Sequence, residues 1–292
     1  MEIKNEFKRV LIIVISISLC FLIFAWIANT MTIPIATATV NVGVKLPIIM
    51  YHSVLKDKAR IGKYVISPDL FREDVLFLLD NGYTPIVVKD IIDYAYDGKA
   101  LPKKPIMITF DDGYYNNLTY IFPIIQELKI KIVISAIGEF TDIYTDSGDL
   151  NPGYAHLTWN DIKLMSESGL VEFQNHSYGM HHNDGARKGA NIIKGETMDH
   201  YKKALNDDIM RMQSLLYMKS GVKATAFAYP FGFSSEASEK AMRDIGFLCT
   251  LSCFEKISTI STPDSLFSLG RFNRPGTVST ATFMKKILEG TK

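Results

Sequence analysis

The feature that most limits the fold of this chain is an alternation of period. Short apolar runs of strand length are separated by stretches whose apolar residues recur every three or four positions. Residues 47–51, 106–110, 131–137, 170–173 and 224–228 read as strands, and 246–254 and 269–273 are strand-like. Ser67-Pro68-Asp69 is a helix start, with Ser as N-cap and Pro at the first helical position. Phe71, Val75, Leu78 and Leu79 form its inner stripe and Gly82 ends it. A helical stretch follows near 117–128. The longest helix is predicted over 196–219, where Met198, Tyr201, Leu205, Ile209, Met212 and Leu216 step by three and four residues. Strands separated by helices imply an α/β fold with a mostly parallel sheet, open or closed into a barrel. Reactive groups then belong at the carboxyl ends of the strands.

Residues 46–292 show neither a repeat nor a low-complexity break, and are close to the size of one (β/α) barrel. Ahead of them, residues 10–28 are apolar and uncharged, broken only by Ser16 and Ser18. As a helix rising about 1.5 Å per residue this block reaches nearly 30 Å, the thickness of a hydrocarbon core. Lys4, Lys8 and Arg9 precede it and no charge occurs in 29–44, so the amino terminus is expected in the cytoplasm and the rest outside. Residues 1–28 are thus expected to be a cytoplasmic terminus with one transmembrane helix, and 29–45, with Pro34 and Gly43, a linker. The alternative is a signal peptide cleaved near Ala38, in Ala36-Thr37-Ala38, which would make the protein secreted. With 32 Lys plus Arg against 31 Asp plus Glu, no basic field exists to hold nucleic acid. Cys249 and Cys253 would stand about 13 Å apart in an extended strand, too far for a disulfide, and no CxxC pair suggests a Cys-based zinc site.

Two clusters carry chemistry. Strand 106–110 runs into Asp111-Asp112-Gly113, two adjacent carboxylates that repel unless a cation or proton separates their roles. The plain reading is a solvated Asp-Asp-Gly turn. Strand 170–173 leads to His176-Ser177-Tyr178-Gly179-Met180-His181-His182. A helix would set His176 and His181 about 140° apart and a strand would put them on opposite faces, so only a turn, which Gly179 permits, brings both to one ion. A polar loop with surface histidines is the alternative. Two imidazoles and one carboxylate would leave a coordination position for water, as in hydrolytic metal sites.

Ile-Thr-Phe-Asp-Asp-Gly at 108–113, His-Ser-x-x-x-His at 176–181 and Ala-Tyr-Pro-Phe-Gly at 228–232 resemble the successive motifs of the polysaccharide deacetylases, the family-four carbohydrate esterases. The five-residue histidine spacing and the early Met50-Tyr51-His52-Ser53 are similar to the poly-N-acetylglucosamine deacetylases of biofilm systems. The resemblance covers residues 46–292 and implies a distorted (β/α) barrel. It implies a hydrolase of bacterial surfaces that removes N-acetyl groups from an extracellular N-acetylglucosamine polymer, poly-N-acetylglucosamine or peptidoglycan, with one divalent ion, Zn or else Co, Ni or Fe. Carried over by residue, Asp112, His176 and His181 would bind the metal and Asp111 would be the general base. The Phe231 backbone N–H would hold the oxyanion, and His52 would protonate the leaving amine. His182 is an alternative ligand to His181, whereas His156 and His200 are expected to be unligated. Many relatives carry an arginine where Ala228 stands. Arg271 or Lys223 could supply the missing charge near Asp111, and Arg271 could also touch substrate. Tyr114, Tyr115 and Trp159 are the candidates for stacking on sugar. Two other functions fit parts of the pattern: a glycosidase using Asp111 and Glu172, and a glycan-binding surface protein without catalysis.

Overall fold

Strands and helices fall where the apolar period changes. The computed structural model describes residues 2–30, 43–182, 185 and 187–289. The chain divides into two compact units, Met1–Asn41 and Val42–Lys292. In the first, Glu2–Thr30 is a helix. Its side chains are described continuously over 11–26, a stretch that rises about 24 Å against the roughly 30 Å of a hydrocarbon core. Among the described residues no helix is long and apolar enough to cross a membrane, so the transmembrane helix expected over 10–28 is not supported. Most of the expected linker, including Ala38, lies outside the described residues.

The second unit is built on one eight-stranded sheet. Its order is Cys249–Leu251, Ala226–Ala228, Val171–Asn175, Ile132–Ala136, Pro105–Phe110, Ile48–Tyr51 and Phe272–Asn273, and Thr84–Ile86 also pairs with Pro105–Phe110. Every pairing in it is parallel. The sheet is curled. Leu269 bridges Leu251 at one edge, and Phe272 and Asn273 pair with Ile49 and Met50 at the other. One segment therefore links both edges of a parallel half-barrel. Val44–Leu46 pairs antiparallel with Ser258–Ile260, so the last residues of the expected linker are a strand of this unit.

Alternation along the strands divides the core. Ile106, Ile108 and Phe110 pack with Ile132, Ile134, Phe71, Val75 and Leu78 in one cluster. Met107 and Val133 pack with Ile48, Val88 and Ile91 in another. Both sheet faces are covered, which is why Pro105–Phe110 is apolar and buried throughout rather than alternating with polar residues. Each of these side chains contributes about 1.5–3 kcal/mol by leaving water. The helix Pro68–Asp80 starts as expected, with Ser67 Oγ accepting the Leu70 N–H. Met198–Ser220 buries Tyr201, Leu205, Ile209, Met212 and Leu216, whereas Met198 in its first turn is 44% exposed.

A buried ion pair crosses the core. Arg274 donates from Nε and Nη2 to the Asp74 carboxylate at 2.7 and 2.9 Å. Tyr51 Oη and Thr280 Oγ1 also donate to it, at 2.9 and 2.7 Å. Arg274 Nη1 donates to the Pro275 and Val278 carbonyls. Nothing in the sequence pattern pointed to this clamp.

Candidate functional site

The strand Pro105–Phe110 delivers Asp111 and Asp112 to the carboxyl edge of the sheet, where the chain turns sharply. Asp112 has φ +71° and Gly113 φ +70°. A Cβ on Gly113 would stand 3.1 Å from the Ala136 Cβ, so a side chain there would crowd the neighbouring strand. Val171–Asn175 delivers His176 in the same way. Ser177 takes φ +72°, its N–H donating to Asn175 Oδ1 at 2.8 Å. The Asp208 carboxylate accepts the Tyr178 and Gly179 N–H groups at 2.8 and 2.7 Å, which folds the loop back so that His181 faces His176. Their ring centroids are 4.9 Å apart.

The turn brings Asp112, His176 and His181 together, with one ligand atom of each within 4.8 Å of the others. Nε2 of His176 and of His181 stand 3.4 and 3.2 Å from Asp112 Oδ1. The donor chemistry fits a cation. His176 Nδ1 lies 2.7 Å from the Ala228 carbonyl and must carry its proton there, which leaves Nε2 aimed at the carboxylate. Asp112 Oδ1 is buried without a hydrogen-bond partner. Burial pushes the Asp112 carboxyl up, but the neighbouring imidazoles outweigh it and hold it well below the usual carboxylate range. Burial beside His176 lowers His181 to about 4. An anion and two imidazole nitrogens meeting at one buried point are what a divalent ion requires. Burial lowers the His176 pKa, but the Asp112 and Asp111 carboxylates outweigh it and raise the value, so an ion bound there would displace its Nε2 proton. His182 instead pairs with Glu139 at 2.7 Å and is not among the converging groups.

Asp111 has a different environment. Arg271 Nη1 and Nη2 donate to its two oxygens, each at 2.7 Å, while Arg271 Nε donates to the Ser252 carbonyl at 2.9 Å. Burial raises the Asp111 carboxyl, and the guanidinium more than reverses that, leaving it below the ordinary range. Arg271 is wholly buried, so it sits behind Asp111 and cannot be the substrate contact expected of it. Lys223 is exposed. His52 lies at the end of Ile48–Tyr51, its ring edge-on to Tyr64 at 4.9 Å. Its Nδ1 is buried and unpartnered, and burial lowers its pKa.

These groups line one cavity of about 620 Å³ that includes His52, Asp111, Asp112, His176, His181 and Phe231. Phe231 occupies a left-handed turn at φ +59°, its ring 4.4 Å from His181. The turn lies against the strand edge so closely that a Cβ on Gly232 would meet Cys253 Cβ at 2.4 Å. Tyr114 also lines the cavity. Two of the expected stacking aromatics do not: Trp159 is 4% exposed and donates its indole N–H to Asp142 at 2.8 Å, and Tyr115 packs against the core. In sequence an aromatic of this kind reads the same whether it stacks on sugar or packs in the core, and here both pack inward. Glu172 is absent from the cavity lining, and its carboxylate accepts the Lys89 backbone N–H and the Gln174 amide. That removes the Asp111–Glu172 pair on which the glycosidase reading rests. A larger cavity of about 790 Å³, lined by Tyr83, Lys104 and Met284 among others, contains none of these groups.

Over residues 98–249 the chain matches the family described as polysaccharide deacetylase. It is 26% identical over 218 residues to the poly-β-1,6-N-acetyl-D-glucosamine N-deacetylase of Escherichia coli K12, covering 68% of this chain and 32% of that protein. The chain thus spans about a third of the length of that relative. Against the Staphylococcus epidermidis enzyme of the same description, identity is 25% over 219 residues, covering 74% of this chain and 70% of the other. A solved structure of a de-N-acetylase from Aggregatibacter actinomycetemcomitans shares the fold, with a TM-score of 0.72 at 24% identity, covering 84% of this chain and all of that one. The family match takes in 152 of 292 residues and contains both the paired aspartates and the two facing histidines, and on that basis the chain belongs to the polysaccharide deacetylase family.

Proposed function

We propose that the chain is a metal-dependent hydrolase that removes N-acetyl groups from a poly-β-1,6-N-acetylglucosamine type of polymer outside the cell. The observation that carries this reading is the convergence of Asp112, His176 and His181 beside a fourth polar group, Asp111, that is held ionised but left out of the cluster. The family and the two relatives described as poly-β-1,6-N-acetyl-D-glucosamine N-deacetylases support the substrate class.

Asp112, His176 and His181 would hold the ion. A divalent ion there supplies Lewis acidity and lowers the pKa of water. The chain's own groups divide the proton work. Asp111 accepts the proton of the attacking water; Arg271 occupies one lone pair on each of its oxygens and leaves others free. Because Arg271 also stabilises the anion, Asp111 stays ready as a base across the working range. The Phe231 backbone N–H is the proposed donor to the developing oxyanion. His52, facing the same cavity, delivers a proton to the departing amine, without which the C–N bond would have to expel an amide anion.

The test is acetate release from a β-1,6-linked N-acetylglucosamine pentamer by the purified chain. One free amine should appear per acetate with the chain length unchanged. Activity should vanish in EDTA and return with Zn, Co or Ni. Shortened chains, or indifference to the chelator, would refute the assignment.

A further inference from the structure

A second, smaller cavity of about 350 Å³ adjoins the first, with Ser53, Val65, Asp112, Tyr114 and His181 in both linings. Its outer wall carries Tyr154, whose side chain is 50% exposed yet not free to swing. The Tyr154 hydroxyl donates to Asp149 Oδ2 at 2.7 Å. Asp149 Oδ1 accepts the Asn151 N–H at 3.1 Å, and Asn151 Oδ1 accepts the Gly153 N–H at 2.8 Å. The loop is also tied to the aspartate turn. Tyr115 N–H donates to the Ala155 carbonyl and Leu157 N–H to the Gly113 carbonyl, both at 2.8 Å, around an antiparallel bridge between Tyr114 and His156. Rings connect the two ends of this wall: Tyr114 to His156 at 4.6 Å, His156 to Tyr144 at 5.5 Å and Tyr144 to Tyr154 at 6.5 Å.

A large aromatic ring that keeps half its surface in water while its hydroxyl is fixed has already lost its rotational freedom, so an apolar face docking on it costs little further entropy. Pyranose rings have such faces, formed by their axial C–H groups. We propose that Tyr154 is a stacking platform for an N-acetylhexosamine unit next to the one being deacetylated, and that the Asp149 hydrogen bond presets its ring. Arg60, the exposed guanidinium that lines the same cavity beside Gly153, supplies donors for that unit's hydroxyl or acetamide oxygens. The proposal rests on the deacetylase reading for the identity of its ligand. It distinguishes this tyrosine from Tyr64, whose ring lies edge-on to His52.

The full chain and its Tyr154→Ala, Tyr154→Phe and Tyr154→Trp variants would be compared on the same pentamer and on a small aryl acetate ester too short to reach this wall. Tyr154→Ala should raise KM for the pentamer roughly three- to tenfold and weaken calorimetric binding by the same factor. Its kcat and its aryl acetate turnover should stay within about twofold of wild type. Tyr154→Trp should restore pentamer affinity, and Tyr154→Phe, which keeps the ring and loses the Asp149 bond, should fall between. Unchanged pentamer KM and binding in Tyr154→Ala would overturn the proposal, as would parallel losses on both substrates. If wild type releases no acetate from the pentamer, the deacetylase reading fails, and calorimetry alone then decides: weaker binding by Tyr154→Ala supports the platform, whereas equal binding or none by wild type removes it.

Discussion

Arg271 and Arg274 stand three residues apart, and each grips one aspartate with two nitrogens in full burial. The Asp74 carboxylate, gripped by Arg274, is enclosed, with Tyr51 and Thr280 donating to its oxygens as well. The Asp111 carboxylate, gripped by Arg271, borders the cavity that holds the converging histidines, and only its rear is committed. The same fork of charge-assisted hydrogen bonds therefore serves two ends. Completely saturated, it joins the helix Pro68–Asp80 to the segment that links the sheet edges; saturated on one side, it leaves a fixed anion facing the cavity.

The largest effect expected from separating these roles is on rate. Asp111→Asn should lower acetate release by roughly 10²–10⁴-fold per folded molecule, because the amide cannot take a proton from water. Asp74→Asn should leave kcat of the folded fraction unchanged; an equal loss in both variants would show that the two pairs do not differ in kind.

Next in size is stability. Asp74→Ala strands the Arg274 guanidinium in the core, and urea unfolding should report a loss of about 3–5 kcal/mol. A shift well under 1 kcal/mol would mean that solvent reaches the clamp.

A smaller, pH-dependent difference follows from the depressed Asp111 pKa. Its folded value lies below the ordinary 3.8, so its contribution to stability is complete above that pH and fades as pH falls through the folded value. In metal-free protein the stability gap between wild type and Asp111→Asn should be constant near neutrality and narrow below about pH 3.8. A gap that persists through strong acid contradicts the assignment of the shift to this carboxylate.

The smallest effect belongs to a third fork. Arg72 grips Glu127 at 2.7 and 2.6 Å, with the glutamate side chain 60% exposed. Water already solvates both groups, and Glu127→Gln should not move the urea midpoint measurably.

These contrasts mark where the sequence was readable. Asp111, Asp112 and Gly113 are contiguous, and His176 and His181 share one loop, so their meeting needed only the knowledge that a parallel sheet collects strand ends on one edge. The helix Pro68–Asp80 and most strands of the sheet were legible because their periodicity is local. Thr84–Ile86 was missed because Pro85 and a three-residue length leave almost no periodic signal. Whether Trp159 faces sugar or core was not legible, because its partner, Asp142, is 17 positions away on another helix.

What the sequence determined alone was the alternation of periods, the edge on which the reactive side chains emerge, and the residue types gathered there. Tertiary structure decided which cation stands behind Asp111 and which aromatics keep an open face, and it revealed the Asp74 clamp that the sequence had hidden. The physical reason is range. Backbone periodicity and capping are settled within a few residues, whereas the partners of Asp111 and Asp74 lie 160 and 200 positions away, and their choice depends on which groups the curled sheet buries together.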